Sequence, residues 1–384
     1  MPCAILAVQT FPPSVGGTAC LLHDILKWFP STSIVAVSGA CYESGTTGMR
    51  LPFENRRALV LGSEWLTARV EWRFWRPYVA WITKKICDMA RKYRADRIYA
   101  HYPNGFFTVA AYQAAERLGL PLAIYFDIAW EERGWHDSAL ATEFEHKVVK
   151  RADVRFAITE YLVDYLSNKH DVKFELLPHT VDIESAGSPD LVASDPNNNV
   201  IHFAGGIYPS MNLDSILRCI SAVNEMGHDV RFDVYTPSAE CLRAAGLDMR
   251  RVRIGFAKRA EIGRLQRGSQ VLFLPQAFES AAGLMIKLNF PTKALEYMVS
   301  GRPMLIHSPK GSYLADCARQ NGFGVVVDTP DKDRLKEELT RLLTDRELCR
   351  DVVMKAWAFA RSRDSRQWSQ TLYAALFRGR IAGQ

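Results

Sequence analysis

Short apolar runs alternate with longer segments of helical periodicity along most of the chain. Apolar runs separated by helices are typical of parallel strands whose sheet is covered on both faces. The pattern therefore predicts a doubly wound α/β protein. The strands that it predicts are at residues 4–8, 33–37, 57–61, 97–101, 122–126, 154–158, 200–205, 230–235, 270–275, 303–307 and 324–328.

The alternation is interrupted once, at residues 184–199, a segment that is rich in Ser, Pro, Asp and Asn. Such composition indicates a linker, and a chain of 384 residues is too long for one ordinary core. We predict one domain at residues 1–183, a second at residues 200–364 and an amphipathic helix within residues 365–384. In open α/β sheets ligands bind beyond the carboxyl ends of the strands, so we expect the site in the cleft between the domains.

Each predicted domain has a glycine pair directly after its first strand. Gly16 and Gly17 lie in "TFPPSVGGT", and Gly205 and Gly206 lie in "HFAGGIYPS". A glycine turn that leads into a helix suits a phosphate group, although a plain strand–helix turn is the alternative. Neither loop is a GxGxxG or Walker sequence, so a Rossmann dehydrogenase or a P-loop NTPase is not supported.

The segment "NFPTKALEYMVSGRPML" at residues 289–305 predicts a short helix that Thr292 caps. Lys293 then lies in the first turn, where the helix dipole disfavours a cation by up to about 1 kcal/mol. A bound anion would remove this conflict, and Glu296 could accept two hydrogen bonds from a diol such as ribose. The alternative is a surface ion pair between the two residues, worth roughly 0.2–0.5 kcal/mol.

Another candidate cation is Arg259, which we expect in a loop before a short helix. A loop arginine can pair with a phosphate. The alternative is a solvated surface charge.

Net charge is +6, and residues 69–97 alone carry nine basic and three acidic side chains. In this segment an apolar stripe that includes Trp75, Val79 and Ile82 predicts a helix packed on the first sheet. The remaining aromatic and cationic side chains, Trp81 among them, suit an anionic membrane surface. No nucleic-acid-binding motif accompanies the charge, so we expect no nucleic acid partner.

The eight cysteines are scattered without CxxC pairs, which indicates reduced thiols rather than a zinc site or a disulfide framework. The chain has no run of 18 apolar residues and no signal-peptide pattern at its start. We expect a cytoplasmic protein that associates peripherally with the inner membrane.

Three segments resemble the retaining GT-B glycosyltransferases of family 4, also called group 1. They are "FPPSVGGT", then "RADVRFAITEYLVDYL" followed by "LLPHTVD", and "FPTKALEYMVSGRPML". The resemblance implies two Rossmann-like domains that face a cleft, with the C-terminal helix crossing back to the N-terminal domain. It also implies a nucleotide-sugar donor. Glu296 would then bind the ribose, Lys293 and Arg259 the diphosphate, and Gly16 and Gly17 would lie near the phosphates.

The chain departs from the family pattern at three positions. A frequent Glu is replaced by Leu288, a frequent Lys-Gly by Met211-Asn212, and a common His after the fifth strand by Asp127. Asp127 and His101, at the end of the previous predicted strand, are therefore both candidates to orient the acceptor or to assist removal of its proton.

The resemblance implies retaining transfer of a hexose from a UDP- or GDP-sugar to a hydroxyl acceptor, including a lipid-linked one. Bacterial cell-surface polysaccharide or glycolipid assembly is the expected setting. We expect no metal and no cofactor, because Lys293 and Arg259 would stabilise the leaving diphosphate. Two alternatives remain: a nucleotide-sugar epimerase of the same fold, and a catalytically silent nucleotide-sugar-binding subunit.

Overall fold

The structure is a computed structural model. It describes residues 2–13, 17–39, 51–58, 75–102, 105–129, 138–187, 199–227, 229–237, 239–279 and 283–377. The chain divides into two compact units. Unit 1 comprises Met1–Thr180 together with Ser365–Gln384, and unit 2 comprises Val181–Asp364.

Unit 1 is built on a seven-stranded sheet in which every pair of neighbours is parallel. Its strands are β1 (Ala4–Val8), β2 (Ile34–Gly39), β3 (Glu54–Ala58), β4 (Arg97–Tyr102), β5 (Leu122–Phe126), β6 (Val154–Ala157) and β7 (Glu175–Leu176). Its helices are α1 (Gly17–Leu26), α2 (Trp75–Tyr93), α3 (Gly105–Leu118), α4 (Ser138–Arg151) and α5 (Glu160–His170). The strand order β3-β2-β1-β4-β5-β6-β7 reverses direction between β1 and β4, as in Rossmann-like sheets.

Unit 2 repeats this design with six parallel strands in the order β10-β9-β8-β11-β12-β13. They are β8 (Val200–Ala204), β9 (Arg231–Tyr235), β10 (Val252–Gly255), β11 (Val271–Pro275), β12 (Met304–His307) and β13 (Val325–Val327). The helices are α6 (Ile183–Ala186), α7 (Leu213–Asn224), α8 (Glu240–Ala244), α9 (Arg259–Arg267), α10 (Gly283–Leu288), α11 (Thr292–Met298), α12 (Tyr313–Asn321), α13 (Lys332–Thr344) and α14 (Arg346–Ser362). The predicted doubly wound α/β class is therefore confirmed in both units.

The last helix, α15 (Ser365–Phe377), belongs to unit 1 and packs against α1. Trp28 Nε1 donates to Ser365 Oγ at 3.0 Å, and the rings of Phe29 and Tyr373 meet edge to face at 5.2 Å. The expected return of the C-terminal helix to the N-terminal domain is thus observed.

Two short strands were missed by the apolar pattern. β10 lies at the sheet edge, pairs with β9 alone and is half-buried, with Arg253 exposed. β7 has two residues and also lies at an edge. Both strands lack the continuous apolar run that marks a central strand.

The basic segment forms α2 from Trp75 onward, whereas residues 69–74 lie outside the described part of the chain. Val79, Ile82, Ile86 and Met89 are buried, as the stripe predicted. The helix leaves cations near its half-buried aromatic rings, since Arg76 lies 5.3 Å from the Trp75 ring centroid and Lys85 Nζ lies 4.5 Å from that of Trp81. Within the described ranges, no helix is both long and apolar enough to span a bilayer.

Candidate functional site

The carboxyl end of β8 carries the glycine pair of unit 2. β8 neighbours β11 at the point where the strand order of this sheet reverses, which is where ligands bind in open parallel sheets. Gly205 has φ +146°, a conformation that residues with a Cβ rarely adopt. Its N–H donates to Tyr235 C=O at 2.8 Å, so the loop after β8 is tied to β9.

The Lys293 side chain reaches this glycine from α11. A Cβ added to Gly205 would overlap Cε and Nζ of Lys293. The ammonium also lies 5.5 Å from the Phe203 ring centroid in β8. Lys293 forms no salt bridge with any carboxylate that the structure describes. A largely buried cation without an ionic partner is costly for the protein and is suited to binding an anion.

Burial lowers the pKa of Lys293, and the negative charge of Glu296 opposes this effect without cancelling it. The shift means that the protein interior disfavours the charged form of this side chain. A bound anion would reverse the shift, because it stabilises the ammonium.

The position of α11 is fixed by its buried face. Tyr297 is fully buried, and its hydroxyl accepts a hydrogen bond from the Ala204 N–H at 3.4 Å. Lys293 lies four residues before Tyr297 and therefore on the same side of the helix. The predicted cap was wrong: Pro291 occupies the N-cap with an extended backbone, no side chain caps the helix, and Thr292 is its first residue.

Glu296 pairs with Arg259 rather than with Lys293. Arg259 Nη2 lies 3.3 Å from Glu296 Oε1, and both side chains are more than one-third exposed. An exposed pair of this kind contributes about 0–1 kcal/mol, so a ligand can displace either partner at small cost. The sequence predicted Arg259 in the loop before a short helix, but Arg259 is the first residue of that helix, α9. The structure brings Gly205, Lys293, Glu296 and Arg259 together in one cluster.

The loop between β8 and α7 is held by Asn212. Its Oδ1 accepts from the Tyr208 N–H at 2.9 Å and its Nδ2 donates to Gly206 C=O at 3.1 Å. Gly206 lies under the exposed Tyr208 ring, because a Cβ added there would come within 2.5 Å of the tyrosine hydroxyl. In the Met211-Asn212 departure, Met211 stands where the family pattern has the Lys, and Asn212, which stands in place of the Gly, fixes the loop.

Asn289 was not identified from the sequence. It lies between α10 and α11, and its Oδ1 is buried without a hydrogen-bond partner in the described structure. Leu288, which stands where related sequences often have a Glu, is buried and apolar. Of the two polar residues that flank Leu288, Lys287 is exposed, whereas the side-chain oxygen of Asn289 is buried.

Unit 1 places His101 and Asp127 at the carboxyl ends of β4 and β5. His101 is fully buried, and its Nε2 lies 3.5 Å from Asp127 Oδ2. The same oxygen accepts a hydrogen bond from Thr18 Oγ1 in α1 at 3.2 Å. Tyr125, the register partner of His101, packs its ring 4.6 Å from the imidazole. The two candidates are therefore neighbours, and Thr18 and Tyr125 join them.

This cluster contains several buried polar atoms that form no hydrogen bond with the residues that the structure describes. They are Nδ1 and Nε2 of His101, the Tyr125 hydroxyl and Oδ1 of Asp127. Burial, with the charge of Asp127 as a smaller contribution, raises the pKa of Tyr125, so its hydroxyl stays protonated. Buried polar atoms are nearly always paired in proteins. Donors and acceptors left open in one place suit a ligand rich in hydroxyl groups.

Other predicted residues contribute less to the picture. Gly17 is the first residue of α1 and is exposed. Gly16 lies outside the described residues. The seven cysteines in the described ranges form no disulfide bond. Across the same ranges, His, Cys, Asp and Glu side chains do not gather in a group of three that could hold a metal ion.

Comparison with known domains agrees with the division into two parts. Residues 35–177 match the model of the glycosyl transferase 4-like domain, and residues 198–345 match that of glycosyl transferases group 1. No curated protein matches the sequence.

Solved structures show the same fold at low sequence identity. HepE from Anabaena in complex with UDP superposes with a TM-score of 0.72 at 18% identity, covering 98% of this chain and 99% of that one. Sucrose-phosphate synthase from Thermosynechococcus elongatus gives 0.74 at 13% identity, with the same coverage of 98% and 99%. The lipopolysaccharide outer core galactosyltransferase WaaB gives 0.63 at 12%, again over 98% and 99%. The chain therefore consists of two glycosyltransferase domains and has the GT-B fold.

Proposed function

We propose that this two-domain glycosyltransferase is a retaining hexosyltransferase that uses a nucleoside diphosphate sugar and a hydroxyl acceptor. Unit 2 would bind the donor and unit 1 the acceptor. That HepE was solved with UDP and with UDP-glucose makes UDP-glucose the first donor to test. GDP-sugars are the second choice. We place the reaction in bacterial cell-surface polysaccharide or glycolipid assembly.

The observation that carries the proposal is the ammonium of Lys293. It lies at the carboxyl end of the first strand of unit 2, is largely buried, and has no ionic partner among the described residues. A diphosphate would supply the missing negative charge. Arg259 would add a second cation once it leaves Glu296, and the freed Glu296 carboxylate would accept hydrogen bonds from the ribose hydroxyls.

In the reaction, the bond between the sugar C1 and the diphosphate oxygen breaks, and a bond from C1 to the acceptor oxygen forms on the same face of the sugar. Negative charge develops on the departing diphosphate, where Lys293 and Arg259 would stabilise it. We assign no metal to this step. Asn289, with its buried unpaired carbonyl oxygen, is a candidate contact for a sugar hydroxyl.

His101 and Asp127 would hold the acceptor hydroxyl in unit 1. Asp127 is oriented by Thr18, and His101 by its packing against Tyr125. Either side chain could take up the proton that the acceptor hydroxyl loses as its oxygen bonds to C1. Their open hydrogen-bonding atoms support binding of a polyhydroxylated acceptor.

The test begins with a thermal-shift panel of UDP- and GDP-sugars, since a true donor stabilises the folded state by mass action. The stabilising donor is then incubated with candidate acceptors, and NMR measures the anomeric configuration of the product. We expect a product that retains the donor configuration. An inverted product would overturn the retaining mechanism.

Two further outcomes would identify the alternatives. Conversion of the donor to an isomer in the absence of acceptor would indicate an epimerase. Stabilisation by nucleotide sugar without turnover on any acceptor would indicate a silent binding subunit.

We also propose that α2 brings the protein to the cytoplasmic face of the inner membrane, where lipid-linked acceptors lie. Arg76 is exposed, and both it and Lys85 lie on half-buried tryptophan rings. Cations beside aromatic rings suit the boundary between anionic headgroups and acyl chains. Within α2 the cations outnumber the acids, since only Asp88 opposes Arg76, Lys84, Lys85, Arg91 and Lys92.

Flotation with phosphatidylglycerol-containing liposomes tests this surface. We expect the wild type to float with anionic vesicles at low salt, and Arg76→Glu/Lys85→Glu to lose most of that binding. The control Lys173→Glu/Lys355→Glu changes the net charge equally at exposed sites elsewhere. Equal loss in both variants would point to net charge alone, and no flotation of the wild type would reject the proposal.

A further inference from the structure

The space beside the Cα of Gly205 is occupied by the Lys293 side chain, so it is not open for a phosphate to approach. We propose that Gly205 is a positioning residue. Because it has no side chain, it leaves a space beside its Cα, here called the slot, in which the Lys293 side chain lies with its ammonium at the end of β8. The inference rests on the proposed function for one point, that the ammonium binds the donor diphosphate.

Sterics allow no side chain at this position as long as Lys293 keeps its place. A Cβ on Gly205 would overlap both Cε and Nζ of Lys293, so the lysine would have to leave its position. Gly205 also has φ +146°, which a residue with a Cβ adopts only with strain. Glycine is therefore required here for two separable reasons, one in its own backbone and one in the neighbouring lysine.

The slot matters because the loop itself supplies no cation. Residues 205–212 read GGIYPSMN and contain neither Lys nor Arg. A positive charge at the end of β8 must therefore come from another element. α11 is held there by the bond between the Tyr297 hydroxyl and the Ala204 N–H, and Lys293 projects from the same side of that helix.

The arrangement is unfavourable until an anion binds. The ammonium is desolvated, its pKa is lowered, and no described carboxylate pairs with it. Functional sites often hold such locally destabilising groups. Gly205 and Lys293 thus form one device: besides permitting its own backbone conformation, the glycine leaves the space that the lysine side chain occupies.

A double-mutant cycle on Gly205→Ala and Lys293→Ala tests this device through stability, without any ligand. We expect Gly205→Ala to lower the melting temperature by several degrees when Lys293 is present. In the Lys293→Ala background the same change should lower the melting temperature clearly less, because only the backbone strain at residue 205 remains. Equal losses of melting temperature in both backgrounds would contradict the proposal that Gly205 makes room for Lys293.

The second readout is the affinity for UDP and GDP. Gly205→Ala should weaken binding of the preferred nucleotide by about as much as Lys293→Ala, roughly 10- to 100-fold for the loss of a charge-assisted contact. The double variant should bind no more weakly than Lys293→Ala alone. Additive losses would mean that Gly205 touches the nucleotide itself.

Gly246→Ala is the matched control in unit 2. Gly246 also has a positive φ, +66°, but nothing lies within 4 Å of an added Cβ. Its substitution should cost the same with and without Lys293. If Gly205→Ala alone fails to fold while the double variant folds, the slot is supported; if both fail to fold, it is rejected. A wild type that binds neither nucleotide would reject the proposed function, whereas the stability cycle would still decide the slot.

Discussion

The two units share the same sheet design but differ in the chemistry of the side chains at its carboxyl edge. Each has a parallel sheet with its order reversed beside the first strand, and each places candidate residues at the carboxyl edge. In unit 2 the open group is a cation, Lys293, without an ionic partner in the described structure. In unit 1 the open groups, among the described residues, are the imidazole of His101 and one carboxylate oxygen of Asp127, which lie together. The fold sets where a ligand binds, and the side chains set which ligand.

The largest expected effect is that of Lys293→Met, which keeps the length of the side chain and removes its charge. We expect kcat/KM for transfer to fall about 100- to 1000-fold, as for loss of one preorganised group that stabilises developing charge. Stability without ligand should be unchanged or higher, because a desolvated cation is removed. Initial-rate transfer assays and a melting curve measure the two effects. Wild-type transfer in this variant would end the assignment of unit 2 as the donor site.

The next largest effect is expected at Asp127 in unit 1, where a substitution should slow transfer without weakening nucleotide binding. Asp127→Asn keeps the shape of the side chain and an oxygen for Thr18, but lowers its basicity. We expect transfer to fall about 100-fold, at the lower end for a group that assists proton transfer, with UDP affinity unchanged.

Asp153→Asn is the matched control for that variant, since Asp153 accepts the Leu122 N–H at the opposite end of β5. It should transfer sugar as the wild type does. If Asp127→Asn weakens UDP binding as much as it slows transfer, the division of labour between the units is wrong.

A smaller effect is expected at Glu296, where the ribose hydroxyls would bind. Wild-type protein should bind UDP at least about 10-fold more tightly than 2′,3′-dideoxy-UDP, since the analogue lacks both hydroxyls and the loss of even one hydrogen bond to a charged group costs roughly 1.5–3 kcal/mol. Glu296→Gln should lose most of this discrimination. Calorimetry with the two nucleotides provides the measurement, and a variant that discriminates as well as the wild type would place the ribose elsewhere.

The smallest expected effect is a shift in the pH dependence of UDP binding. The lowered pKa of Lys293 means that the free protein loses this charge at a lower pH than an ordinary lysine, whose pKa is about 10.4. An anion raises the pKa again, so UDP binding takes up a proton in that window and weakens as pH rises. Lys293→Arg should move the alkaline decline upward, because arginine stays charged. Parallel pH profiles for the two proteins would exclude Lys293 as the titrating group.

The fold could be predicted from the sequence because central parallel strands bury both faces. β1 and β5 were located to the residue, since Ala4–Val8 and Leu122–Phe126 are continuous apolar runs in which every residue is buried. The edge strands β7 and β10 lack such runs and were missed.

The candidate site was only partly predictable, because sequence spacing does not show what a side chain contacts. Lys293 and Glu296 were singled out from the sequence, but the sequence did not show that Glu296 pairs with Arg259, 37 positions earlier in the chain. The contact between Gly205 and Lys293 joins two elements far apart in sequence, and no local pattern encodes it. Tyr125 was not singled out from the sequence, because it lies within β5, whose continuous apolar run indicates only a buried strand.

The path of the chain has a practical consequence for truncation. The last described helix, α15, packs in unit 1 although it follows unit 2. Unit 2 is thus an insertion whose two ends meet, since the Val181 N–H donates to Arg363 C=O at 3.0 Å. A premature stop after residue 364 would leave the sequence of unit 2 complete but remove Ser365, the hydrogen-bond partner of Trp28, from unit 1. Helix α15 is therefore a structural part of the unit that the N-terminal half of the chain forms.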